Sequence, residues 1–317
     1  MTAAARANVD VPLAFDQRAD AAAVAVLRRL LTVIGDNVEG SISGEDDEHL
    51  HQLRIAVRRS RTVQRQLAGV FPPSELPGFR SEFRWLQQST GPARDLDVYV
   101  HDLGSLRDML PESIRGDLDP LRPVLVHSRQ AARADMTRAL LTVRAADLFE
   151  DWDRLLESLV ELPVVDRPAA CRPIGEMAGE RIRKVYKRIV RMGGAIDASS
   201  PALEYHELRK KGKELRYLLE LFGIRLFGEE TVGPMIKSLK GFQDVLGRHQ
   251  DREVQMAMLR STADEVATLR GGAAACMAMG VLVDRLQVDE RAAREEFSER
   301  FAQLASQEQR RLVRDTF

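Results

Sequence analysis

The chain repeats itself once, and both copies place cations where a helix ordinarily buries leucine. The first copy reads His51-Gln-Leu-Arg54-Ile-Ala-Val-Arg58-Arg59-Ser-Arg61, and the second His206-Glu-Leu-Arg209-Lys210-Lys211-Gly-Lys213-Glu-Leu-Arg216. Counted from the histidine, each carries a cation at +3, +7 and +10. A second motif keeps the same register: Gly91-Pro-Ala-Arg94-Asp95-Leu-Asp97-Val98 matches Gly247-Arg-His-Gln250-Asp251-Arg-Glu253-Val254. His206 follows His51 by 155 residues, Gly247 follows Gly91 by 156, and Arg84 and Lys240 each precede their glycine by seven. Two motifs whose offsets agree to within one residue over so long a span imply a structural unit used twice.

Between the prolines, apolar residues recur every three or four positions, the spacing of an amphipathic helix. The pattern predicts helices over 16–40, 46–70, 77–103 and 120–161, then 175–193, 202–227, 232–262 and 272–312. Asp46 and Ser200 are candidate N-caps, because a short oxygen-bearing side chain satisfies the free N–H groups of a first turn. Aromatic residues make up only 5% of the chain, which favours helix over strand. The expected fold is all-α: two tandem four-helix bundles related by a pseudo-twofold axis, with a basic groove or channel between them. The boundaries read as a tail at 1–15, a first repeat at 16–162, a linker at 163–174 and a second repeat at 175–317. Each half is long enough to bury a core.

Helix geometry turns the motif into a surface. At 3.6 residues per turn, positions 0, +3, +7 and +10 fall within an arc of about 80° and a length of about 15 Å. His51, Arg54, Arg58 and Arg61 therefore share one stripe, which Arg65 extends. His206, Arg209, Lys213 and Arg216 form the other, with Glu220 at the position of Arg65. Cations in a row repel one another and call for protein carboxylates or a bound polyanion. Arginine offers a fork that bonds two phosphate oxygens, lysine a point charge, and histidine ring N–H donors. Spacing alone supports an extended polyanion as ligand. Asp95, Asp97, Asp251 and Glu253 read as positioning groups beside these cations. Further basic candidates are Arg94, Arg129 and Arg133, together with a third row, Arg181, Lys184, Arg188 and Arg191, opposite Ile182, Val185, Tyr186 and Ile189. A solvated face explains that third row equally well.

With these motifs in view, the chain resembles the CHAD family, the conserved-histidine α-helical domains. The resemblance rests on residues 51–61, 91–98, 206–217 and 246–254 and spans the chain from about residue 16 onward. It implies binding of inorganic polyphosphate in the channel between the bundles and, for some members, residence on polyphosphate granules. Residue by residue it carries over to His51, Arg54, Arg58, Arg61, His206, Arg209, Lys213 and Arg216, with Arg84 and Lys240 as additions. Gln250 stands where the first copy has Arg94, which weakens the second glycine motif. Some members also carry a tunnel-type triphosphatase domain, whose ExExK strand is absent from this sequence.

Other classes fit the residues less well. No run of about 18 uncharged apolar residues exists to span a membrane. Cys171 and Cys276 form no CxxC pair, so neither zinc nor a disulfide framework is expected, and a reducing cytoplasmic setting is. His101-Asp102 echoes metal-dependent phosphohydrolases, but it is a lone pair without further ligand spacing. No metal, no cofactor and no catalytic residue is therefore expected, although a phosphohydrolase or phosphotransferase remains the rival reading. Nucleic acid is disfavoured by the net charge of −1 and by the lack of aromatics interleaved with the cations. A scaffold that recruits granule-associated proteins is compatible with polyphosphate binding.

Overall fold

A computed structural model describes residues 3–197 and 199–317. The regular elements of the described residues are helices, with no strand among them. The first half comprises α1 (Ala19–Ser43), α2 (Asp47–Gln66), α3 (Leu76–Ser89), α4 (Gly91–Asp108), α5 (Leu121–Leu140) and α6 (Val143–Ser158). The second comprises α7 (Ile174–Gly193), α8 (Ala202–Leu218), α9 (Ile224–Phe227), α10 (Glu229–Ala267), α11 (Gly272–Leu304) and α12 (Gln307–Thr316). A π-helical turn, Leu219–Gly223, joins α8 to α9.

Four expected helices are divided; the π-helical turn splits 202–227, and local chemistry explains the other three breaks. Residues 77–103 divide at Thr90, because Pro92 cannot continue α3 but fits the first turn of α4. Residues 120–161 divide at Thr142, whose hydroxyl accepts from Ala145 N–H and starts α6. Ser306 does the same for α12 by accepting from Gln309 N–H. Gly44, at φ +68°, ends α1 in the left-handed conformation that glycine adopts without strain. Asp46 caps α2 as expected, accepting from Glu48 N–H at 2.8 Å. Ser200 does not cap α8; Pro201 holds that place, and the Ser200 hydroxyl accepts from Asp197 N–H instead.

The two halves share their cores. One apolar cluster joins Leu27, Leu53, Leu86 and Trp152 to Ile182, Leu215, Phe242 and Phe297. A second joins Leu106 and Leu121 to Met256, Leu259, Leu282 and Leu286, where α4 and α5 meet the hairpin of α10 and α11. The two halves therefore cannot separate without exposing apolar surface, at about 25 cal/mol per Å². Helices α2 and α8 pack along the seam. Polar ties cross there: Arg59 bonds Glu220, Gln66 bonds Glu214, and Arg65 lies 3.3 Å from Glu214.

The segment expected as a tail is a fixed strap. Ala7 and Val9 are buried, Ala7 N–H donates to Gln52 at 2.8 Å, and Asn37 donates to the Ala5 carbonyl at 2.8 Å. The linker is equally anchored. Arg167, only 2% exposed, donates to the carbonyls of Pro163 and Val70 at 3.1 and 3.2 Å and lies 3.6 Å from the buried Asp20.

Candidate polyanion site

The seam brings the two stripes onto one cavity of about 450 Å³. The +3 and +7 cations of both copies line it: Arg54 and Arg58 from α2, Arg209 and Lys213 from α8. Both leading histidines, His51 and His206, line it as well. The glycine motifs at the start of α4 and within α10 supply the facing wall, through Arg94, Asp95, Gln250 and Asp251. Arg94, a secondary candidate from sequence, is thus a wall residue. Five arginines and lysines stand against three carboxylates, Asp95, Asp102 and Asp251.

The copies bring equivalent residues together but pair them differently. Arg209 lies 3.7 Å from Asp251, and the charge of Asp95 acts on Arg54 in the same sense. His206 Nδ1 is 2.5 Å from Gln250 Oε1, while His51 sits beside the equivalent residue, Arg94. Arg54 spends its donors on neutral acceptors, the Gln87 carbonyl at 2.8 Å and the Thr90 hydroxyl at 2.9 Å. Among the described residues, the buried Nε atoms of Arg54 and Arg58 have no hydrogen-bond partner.

Burial without enough counter-charge shifts the titration of this wall. Lys213 is lowered to about 7, first by burial and then by the charges of Arg209 and Arg58. Arg54 is lowered to about 10 by burial and Arg58. Arg209 is lowered by burial, against the pull of Asp251, and His51 by burial and Arg94. Asp251 moves up because burial outweighs its cationic neighbours. Tyr99 is pushed up to about 12 by burial and by Asp95 and Asp251. Desolvation and like charge both disfavour the charged cations, and an entering anion relieves the second.

The remaining candidates lie elsewhere. Arg61 is held by Gln87 on the first stripe beyond the cavity, with the charges of Arg84 and Arg65 close by. Arg84 and Lys240 are exposed and do not reach the cavity wall. Arg216 turns away to Glu220 at 2.6 Å. Arg129 and Arg133 are not free for a ligand: Arg133 bonds the buried Asp97 at 2.9 Å and also Asp47, and Arg129 lies 3.6 Å from Asp97. Burial raises Asp97 more than Arg133 lowers it. Arg181, Lys184, Arg188 and Arg191 lie on α7 outside this cavity, with Ile182, Val185, Tyr186 and Ile189 buried opposite, as the periodicity predicts. His101 is exposed, although its neighbour Asp102 lines the wall.

Sequence reasoning did not single out Tyr99 or Gln255, and it noted Asp102 only in the His101-Asp102 pair and Val254 only as part of the second glycine motif. A signal was available. Tyr99 and Asp102 follow Asp95 by four and seven residues, and Val254 and Gln255 follow Asp251 by three and four, so each continues the motif along its own helix face.

Among the described residues, no cluster of His, Cys, Asp and Glu is arranged to hold a metal ion. No helix of the described residues is long and apolar enough to cross a membrane. A helical protein built on a sequence repeat, with the paired cation rows meeting at its centre, defines the class to which this chain corresponds. The CHAD domain model matches residues 25–260, and the chain belongs to the CHAD family. Its fold is shared by the crystal structure of the CHAD domain from the plant Ricinus communis. That match has a TM-score of 0.78 and 24% identity and covers 94% of this chain and 96% of that one. PptA from Streptomyces chartreusis matches with a TM-score of 0.68 and 18% identity, covering 90% of this chain and 99% of that one. No curated protein matches the sequence.

Proposed function

We propose that this protein binds inorganic polyphosphate in the cavity between α2 and α8, without turning it over, and that this binding associates it with polyphosphate granules. The observation that carries the reading is the convergence of both repeated rows on one cavity whose cations outnumber its carboxylates. A phosphate chain accepts hydrogen bonds at every unit and donates none, which suits a wall of arginine and lysine donors. Membership of the CHAD family agrees with polyphosphate as the polymer.

The reading separates from its rivals in two assays. Long-chain polyphosphate should bind at physiological salt and resist displacement by DNA or RNA at equal phosphate concentration. Displacement by either nucleic acid would sink the polymer assignment. Purified protein incubated with polyphosphate should leave its chain length unchanged. Chain shortening or phosphate release abolished by His51→Ala would make the protein an enzyme instead.

A further inference from the structure

A second basic groove lies away from the central cavity, between α7 and α12. Its volume is about 430 Å³, and Arg183, Lys187 and Arg191 line one side. These follow one another at intervals of four, about 6 Å of rise each, so they form a row along α7. Arg310 and Arg314, also four apart, face them from α12. Tyr186, Val190 and Val313 complete the groove, and among the described residues no carboxylate lines it.

These cations have little to answer them within the protein. Residues 181–191 contain six cations and no acid. Among the described residues, none of Arg183, Lys187 and Arg191 has a carboxylate within ion-pair distance, whereas Arg172, just before α7, reaches Glu180 at 2.6 Å. Arg310 donates to the Ala305 carbonyl at 2.8 Å. Arg314 pairs at 3.0 Å with an exposed Asp315, an arrangement that contributes little. The groove also differs from the central site in origin. Arg310 and Arg314 lie beyond residue 260, where the match to the CHAD domain model ends.

The polar groups of this lining indicate the ligand class. Its cationic side chains only donate, and the Tyr186 hydroxyl is already committed to the Leu304 carbonyl at 2.8 Å. A peptide would bring one N–H per residue that no cationic side chain of this lining can accept. A chain of phosphates brings acceptors alone. We infer that the α7–α12 groove is a second binding site for a phosphate chain, so that one protein grips the polymer at two places. The identity of that chain as polyphosphate rests on the function proposed above; the groove itself does not. Two sites on one polymer raise the apparent affinity for long chains without any new contact.

Calorimetric titration with a short polyphosphate of about ten units tests this at low salt, with helicity checked by circular dichroism. Wild-type protein should bind two chains. Lys187→Glu with Arg310→Glu should bind one, and Arg58→Ala with Arg209→Ala should also bind one, now at the groove. For a long chain the groove variant should lose at least tenfold in affinity. One chain bound by wild type and by the groove variant alike would overturn the second site and leave the central reading standing. Full binding in the central variant, lost in the groove variant, would instead overturn the central reading. Displacement of the short chain from the groove by poly-glutamate at equal charge would overturn the phosphate assignment.

Discussion

The two stripes start alike and end differently. At +3 and +7 both send cations into the cavity. Beyond it, the first stripe continues as Arg61 and Arg65, with Arg84 near enough to lower the basicity of Arg61. The second stops at Arg216, because Glu220 bonds both Arg216 and Arg59. One acid in the place of Arg65 thus leaves an unbroken row of cations on one side and a row ended by a carboxylate on the other. Symmetry is kept where the two rows meet and is lost where each faces its own neighbours.

The sharpest break in this comparison concerns the +3 pair. Arg209 already has Asp251 at 3.7 Å, whereas the nearest partners of Arg54 are neutral oxygens. A bond to a charged group is worth about 1.5–3 kcal/mol, or about 10- to 140-fold in affinity. Arg54→Ala should therefore weaken polyphosphate binding about 50-fold and Arg209→Ala about 10-fold, as read by calorimetry at fixed salt. An equal or larger loss in Arg209→Ala would show that the protein acid does not compensate its partner.

The +7 pair differs in chemistry: a guanidinium at Arg58 faces an ammonium at Lys213, which burial and the neighbouring cations lower to about 7. A bound anion favours the ammonium, so the bound state has the higher lysine pKa. Above about 7 binding must then take up a proton, and affinity falls as pH rises, by up to tenfold per unit for one proton. Below about 7 the free lysine is already protonated and its contribution levels off. His51, lowered by burial and Arg94, adds a similar rise on the acid side. Affinities measured from pH 6 to 9 should fall across this range, and Lys213→Arg should flatten the slope above 7. A wild-type profile flat from 7 to 9 would remove Lys213 from the site.

The sequence revealed what depends on periodicity. His51, Arg54, Arg58 and their counterparts could be assigned to one face by spacing alone, and the repeat set both faces on equal footing. The bends at Thr90 and Thr142 were harder to see, because the apolar rhythm runs through them and only the proline and the cap side chain mark the change. The strap at residues 3–15 has no rhythm at all. It is held by the side chains of Asn37, Gln52 and Arg59 on other elements, two of them bonded to its carbonyls. Arg133 looked free in sequence because its partner Asp97 lies 36 residues earlier, within a motif read as part of the binding surface. The shared cores were hidden for a related reason: periodicity shows that a face is apolar, not which half covers it.

Reopening the second stripe is a gentler test. Glu220→Gln removes the acid while keeping its volume, and it leaves Arg216 and Arg59 with uncompensated charge. Long-chain polyphosphate should bind about three- to fivefold more tightly, and its affinity should fall more steeply with salt because more cations are engaged. Arg59 and Glu220 are mostly buried at the seam, so the thermal midpoint should also fall, although the strap bond from Arg59 to the Ala7 carbonyl remains. Unchanged affinity would mean that the polymer leaves the cavity only along the first stripe.

The smallest effect belongs to the end of the first stripe. Arg65 is half exposed and lies 3.3 Å from Glu214, which Lys211 also holds at 2.7 Å. Removing Arg65 therefore leaves Glu214 paired and should not disturb the seam. An exposed cation contributes little to binding because solvent screens it. Arg65→Ala should weaken long-chain polyphosphate about twofold and leave chains short enough to fit the cavity unaffected. The difference between the two lengths is the informative reading. A twofold loss for both would place Arg65 in the general field of the protein, whereas a loss for long chains alone places it on the path along which the polymer leaves the cavity.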